Sequence, residues 1–106
     1  MDALPELYAV QHLQILATES GGEHLYREFL VRRAAVLDRF ADKPQPPEWA
    51  IDQIAYADSY ARDLLAYDLM HGSTRGPLPA GAPCWTQNPR GYARQEHRAW
   101  IVDHDV

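Results

Sequence analysis

With 106 residues and a hydrophobic fraction of 46%, the chain has room for one domain and enough apolar content to fold it, which sets wholesale disorder aside. The formal net charge is −5, divided as 4 basic against 7 acidic groups in residues 1–42, 2 against 5 in residues 43–72, and 4 against 3 in residues 73–106. A body of that sign argues against phosphate binding, because such surfaces draw their affinity from clustered positive charge.

No run approaches the ~20 apolar residues of a bilayer span. The opening residues also lack the basic-then-apolar order of a signal peptide. One cysteine, Cys84, cannot close an internal disulfide. The expectation is a cytoplasmic protein without membrane contact.

The first predicted helix runs over about Leu4–Thr18, with Pro5 in the first turn, where proline is tolerated. Its apolar residues fall on two sides: Ala9, Val10, Leu13, Leu16 and Ala17 on one, Leu4, Tyr8 and Ile15 on the other. A helix apolar on two sides belongs between neighbours or at an oligomer contact. In Ser20-Gly21-Gly22-Glu23, Gly21 supplies the left-handed residue that closes this helix, and Ser20 and Glu23 have capping-box spacing for the next.

The second helix is expected over about 21–42, with Leu25, Tyr26, Phe29, Leu30, Ala34, Val36, Leu37 and Phe40 on its apolar arc. Arg27, Glu28, Arg32, Asp38 and Arg39 fall on its opposite face, where Glu23–Arg27 and Glu28–Arg32 have helix-supporting spacing. Lys43-Pro44-Gln45-Pro46-Pro47 interrupts the helical run. A third helix over about 47–71 then reads as the central element, ended by His71 and Gly72. Residues 73–87, rich in proline and glycine, read as an extended segment that wraps the helices through Leu78, Cys84 and Trp85. Asn88-Pro89 opens a short last helix to about Ile101, with Tyr92, Ala99 and Trp100 to dock it. The fold expected is all-α: a small antiparallel bundle of three main helices in residues 1–72, closed by the segment and short helix of 73–106 as part of the same domain.

Three groups of residues invite functional readings. Arg33 projects into the apolar arc of the second helix, and Asp58 and Asp68 into that of the third, so Arg33 is expected to bond Asp58 or Asp68 across the pair. A structural ion pair is the plain reading of that cluster, and a polar ligand pocket or enzyme site the alternative. Trp49, Tyr56, Tyr60 and Tyr67 line one edge of the third helix and suggest core packing or a protein contact, self-association included. Arg90, Arg94 and Arg98 recur every fourth residue on the last helix, diluted by Glu96; they are read as a solvated face, or as a nucleic-acid contact in the alternative.

Other chemistries find less support. His12, His24, His71, His97 and His104 show no inward Glu-x-x-His pair, Cys84 lacks the second cysteine of a zinc finger, and no metal or other cofactor is expected. Cys84 in Ala-Pro-Cys-Trp has none of the surroundings that lower a thiol's pKa. The Ala17-x-x-x-Gly21 turn resembles that of a helix-turn-helix, but Glu23 and Glu28 would face phosphates and Arg27 stands at an apolar packing position. The reading is an accessory binding protein, an adaptor, inhibitor or assembly factor without catalytic activity, whose partner is another protein or a second copy of itself.

Overall fold

A computed structural model describes residues 4–42, 45, 48 and 51–104. Among these the chain forms helices α1 (Leu4–Thr18), α2 (Tyr26–Ala41), α3 (Ile51–Ile54), α4 (Ala57–His71) and α5 (Pro89–His104), with no strand. The all-α expectation holds. Short 3₁₀ turns stand at Glu23–Leu25 and Pro83–Thr86.

Helix α1 ends as its glycine suggests, with Gly21 at a φ of 88°. The capping box does not form. Gly22, not Ser20, occupies the N-cap of the following 3₁₀ turn, and no side chain caps it. Glycine is required there by close approach, since a Cβ on Gly22 would lie 1.9 Å from the Leu16 carbonyl oxygen.

The central helix is α2, not the helix that follows it. Phe29, Leu30, Ala34, Val36, Leu37 and Phe40 are buried as the pattern predicts, and Val31, Ala35 and Asp38 are buried as well. Helix α2 is therefore covered on nearly every side, by α1, α4 and α5. Each large side chain so enclosed contributes roughly 1.5–3 kcal/mol of transfer free energy.

The third helix is broken. A turn at Ala55–Tyr56 separates α3 from α4, and neither residue type explains the interruption. Ile51 is consequently exposed, while Ala57, Ala61, Leu64 and Asp68 form the buried stripe of α4. Gly72, at a φ of 58°, closes α4 as expected.

The last helix begins where it should. Asn88 Oδ1 accepts a hydrogen bond from the Gly91 N–H at 3.1 Å, with Pro89 at the first helical position. It is not short: α5 has 16 residues, the same as α2, and packs on both α2 and α4. Ala80, Trp85, Tyr92 and Ala93 join one apolar cluster with Val10, Phe29, Leu37 and Leu64. In the connecting segment, Ala80 and Trp85 are the buried anchors, whereas Leu78 and Cys84 are exposed. No described helix is long and apolar enough to cross a membrane.

Candidate functional site

Two buried carboxylates organise the C-terminal half. Asp68 of α4 is 1% exposed and Glu96 of α5 is fully enclosed, and Arg27 of α2 reaches both. Arg27 donates from Nε and Nη2 to the two oxygens of Asp68, each at 2.8 Å, and from Nη2 to Glu96 Oε1 at 2.7 Å. The remaining acceptor capacity of Asp68 is met by the Ser73 hydroxyl at 2.6 Å and by a short bond from the Tyr92 hydroxyl. The Thr74 hydroxyl donates in turn to Tyr92 at 2.8 Å and accepts from the Ala80 N–H at 3.1 Å.

Glu96 does a second job. Its oxygens accept from the backbone N–H groups of Arg75 at 2.7 Å and Gly76 at 2.9 Å, and from the Gln95 side chain at 2.8 Å. Gln95 also donates to the Leu78 carbonyl at 2.8 Å. The segment after α4 is thus held on α5 by polar bonds.

Burial raises the Asp68 carboxyl, but the bonds from Arg27, Ser73 and Tyr92, with the Arg27 charge, outweigh it and hold the group below its usual range. For Arg27, burial opposes the charge while Asp68 and Glu96 favour it more strongly, and its pKa rises. The Tyr92 phenol is raised, by burial first and then by its bond to the Asp68 carboxylate.

The expected Arg33 pairing is corrected by this arrangement. Arg33 Nη2 bonds Asp63 Oδ2 at 3.0 Å, while its guanidinium carbon lies 3.9 Å from the Tyr60 ring centroid and 4.8 Å from that of Phe29. Asp58 is exposed and pairs with Arg62 on its own helix at 2.9 Å. Asp68 is buried as projected but belongs to Arg27. The error has a physical source: a wheel drawn through residues 47–71 carries the phase of α3 across a turn into α4.

The tyrosine edge also divides. Tyr56 stacks on Tyr60 with centroids 5.9 Å apart, beside Arg33. Tyr67 lies between Tyr26 at 5.6 Å and His71 at 4.1 Å. Trp49 lies outside the described residues.

The arginines of α5 separate in the same way. Arg90 Nε donates to Asp38 Oδ1 at 2.6 Å and its Nη2 to Asp42 Oδ1 at 2.9 Å; Arg94 binds the same two carboxylates. Asp38, placed on the polar face of α2 by its sequence position, is buried by these two arginines. Arg98 makes no ion pair among the described residues and stays exposed.

Arg98 stands on the rim of an open groove of about 680 Å³ between α5 and the segment after α4. Gly76, Pro77 and Trp85 form one wall; Gly91, Gln95, Ala99 and Val102 form the other along α5. Arg75 and Asp103 close one end, 3.8 Å apart and both exposed. The bonds of Glu96 to the Arg75 and Gly76 amides set the separation of the two walls, so the buried cluster shapes the groove without opening into it. Of the groove's residues, Arg98 was singled out from sequence as a possible contact, while Trp85 and Ala99 were read as packing anchors. Trp85 is pinned there through its indole N–H, which donates to the Pro79 carbonyl at 3.0 Å.

Chemically the groove offers apolar walls with two cations, Arg75 and Arg98, and among the described residues that line it no nucleophile is paired with a base. Among the described residues no group of three metal-ligating side chains comes together. His97, partly buried, has its pKa lowered by burial and by Arg39 and Arg32, against an opposing effect of Glu6. Compared with protein-family models, curated proteins and solved structures, the chain gives no match.

Proposed function

We propose that this chain is a small, non-catalytic, cytoplasmic binding module that receives an apolar, carboxylate-bearing segment of another protein in the groove over α5. The observation that carries the reading is Arg98, which has no acidic partner among the described residues and stands on the rim of a groove walled by Pro77, Trp85, Ala99 and Val102. Apolar walls supply affinity and a few polar groups fix orientation, the usual division of labour in a recognition groove. Arg75, whose guanidinium makes a long exposed contact with Asp103, offers a second cation once an incoming carboxylate competes. The expected antiparallel arrangement suits this role, because helices joined by short turns give a rigid platform.

Nucleic-acid binding through the arginine repeat is the weaker reading. Arg90 and Arg94 are engaged by Asp38 and Asp42, which leaves Arg98 alone of the three without an ion pair among the described residues. An enzyme or small-ligand site around Arg33, Asp58 and Asp68 is weaker still, since the three side chains have separate partners.

The test is affinity capture from host lysate, with nuclease present, comparing the unaltered protein with Arg98→Glu and with Ala99→Trp, which fills the groove. A stoichiometric protein retained by the unaltered chain and lost with both variants supports the reading. Equal capture by all three proteins, or release of everything by nuclease, refutes it.

A further inference from the structure

We propose that the outer face of α1 is a self-association surface whose occupant is a second copy of this chain. Helix α1 buries Leu7, Val10, Leu13 and Ala17 against the rest of the molecule. On the opposite side Tyr8 is 64% and Ile15 57% exposed. Tyr8, Gln11, Ile15 and Thr18 are all exposed and follow one another at spacings of three, four and three residues. That alternation places them in one line along the helix, the seam by which two helices pair. The Thr18 hydroxyl is turned inward onto the Gln14 and Ile15 carbonyls, at 2.9 Å and 3.1 Å. Gln11, in the middle of the line, has no hydrogen bond among the described residues.

Charge selects the occupant. From Leu7 to Thr18 the helix carries no Asp, Glu, Lys or Arg, in a chain whose net charge is −5. Of the charges that flank this stretch, Glu6 is paired with Arg32 at 2.7 Å, and the exposed Glu19 lies just beyond Thr18. Two copies of an acidic protein repel over most of their surfaces, and this strip is where they meet without opposing like charges. A two-fold contact also requires that one surface complement itself. An antiparallel pair centred between Gln11 and His12 satisfies that condition: Tyr8 of one copy lies against Ile15 of the other, and the two Gln11 amides exchange a hydrogen bond near the axis. The role of a polar residue in the middle of such a seam is to fix register. One helix of this length covers a small area, so the dimer is weak, with a dissociation constant of about 1–100 µM.

The groove over α5 plays no part in this proposal, and none of its lining residues comes from α1. Sedimentation equilibrium of the full chain, in a Cys84→Ser background over roughly a hundredfold range of concentration, reads the association directly. The expected result is a monomer–dimer equilibrium weakened more than about tenfold by Tyr8→Glu combined with Ile15→Glu, and unchanged by Arg98→Glu. In the same background Gln11→Cys is expected to form a covalent dimer under mild oxidation, a readout that does not depend on the charged variant folding well. A monomer at every concentration overturns the proposal. So does a dimer that ignores the double substitution, or a Gln11→Cys chain that stays uncrosslinked. None of these results touches the groove reading, which is tested by capture of a different protein.

Discussion

Helix α2 is covered by α1 on one flank and by α5 on another, and the two seams are built from opposite chemistry. Leu7, Val10, Leu13 and Ala17 of α1 are buried with α2's apolar residues, with Glu6, Arg32 and Glu28 joined at the edge. The α5 seam sets Arg90 and Arg94 on Asp38, and Arg27 between Asp68 and Glu96. Apolar burial is non-directional and scales with area, so it tolerates small displacements. A buried charged seam does not, because each member depends on the others for solvation. The first seam therefore supplies adhesion. The second specifies position, and Glu96 extends that control to the Arg75 and Gly76 amides that wall the groove.

The largest expected effect comes from removing Arg27, the cation of the charged seam that bonds both Asp68 and Glu96. Arg27→Met leaves two enclosed carboxylates without a counter-charge, and the loss is about 3–5 kcal/mol, read as a fall in the midpoint of urea unfolding. Destabilisation below about 1 kcal/mol would mean that water already solvates Asp68 and Glu96 in the fold. On the apolar seam, Leu13→Ala removes buried methyl groups and costs about 2–4 kcal/mol. The two variants are distinguished by salt: the deficit of Arg27→Met changes with ionic strength, whereas that of Leu13→Ala does not.

The charged seam also has a pH signature that the apolar seam lacks. Asp68 is held below its usual pKa in the fold. Its contribution is therefore complete above the unfolded value, near pH 4, and disappears as pH falls through the lower folded value. Tyr92 behaves in the opposite sense: its raised pKa favours the neutral phenol in the fold, so its contribution is lost as pH rises beyond about 10. Melting temperatures from neutral pH toward both limits check this. Asp68→Asn should be less stable at neutrality and lose less than the unaltered chain on going to acid. Parallel acid limbs for the two proteins would contradict the assignment.

What was legible in the sequence is what local residues decide. The helix ends at Gly21 and Gly72 and the start at Asn88-Pro89 depend on conformations that one or two residues impose, and each was found. The buried stripe of α2 was legible in part. Val31, Ala35 and Asp38 escaped, and for Asp38 the reason is α5, a helix about fifty residues later whose arginines neutralise it. Glu96 reads as a diluting charge among arginines so long as α5 is projected alone. It becomes the centre of a network only when the segment after α4 folds back and brings the Arg75 and Gly76 amides to it. Arg27 was misjudged for the same reason, since its acids lie 41 and 69 residues away.

The smallest expected effect belongs to Arg33, the arginine that sequence position marked as the misplaced charge. It shares α2 with Arg27 and has a very different environment. Its acid, Asp63, is more than half exposed, so removing the guanidinium strands no buried carboxylate. Much of its contact is with the Tyr60 and Phe29 rings, at 3.9 Å and 4.8 Å, which a methionine side chain also covers. Substitution even relieves a buried Nε that has no hydrogen-bond partner. Arg33→Met should thus change stability by less than about 1 kcal/mol, set against the several lost with Arg27→Met. Urea unfolding of the two variants side by side decides it. Comparable losses would mean that cation–π contact on α4, not carboxylate burial, sets the worth of an arginine on α2.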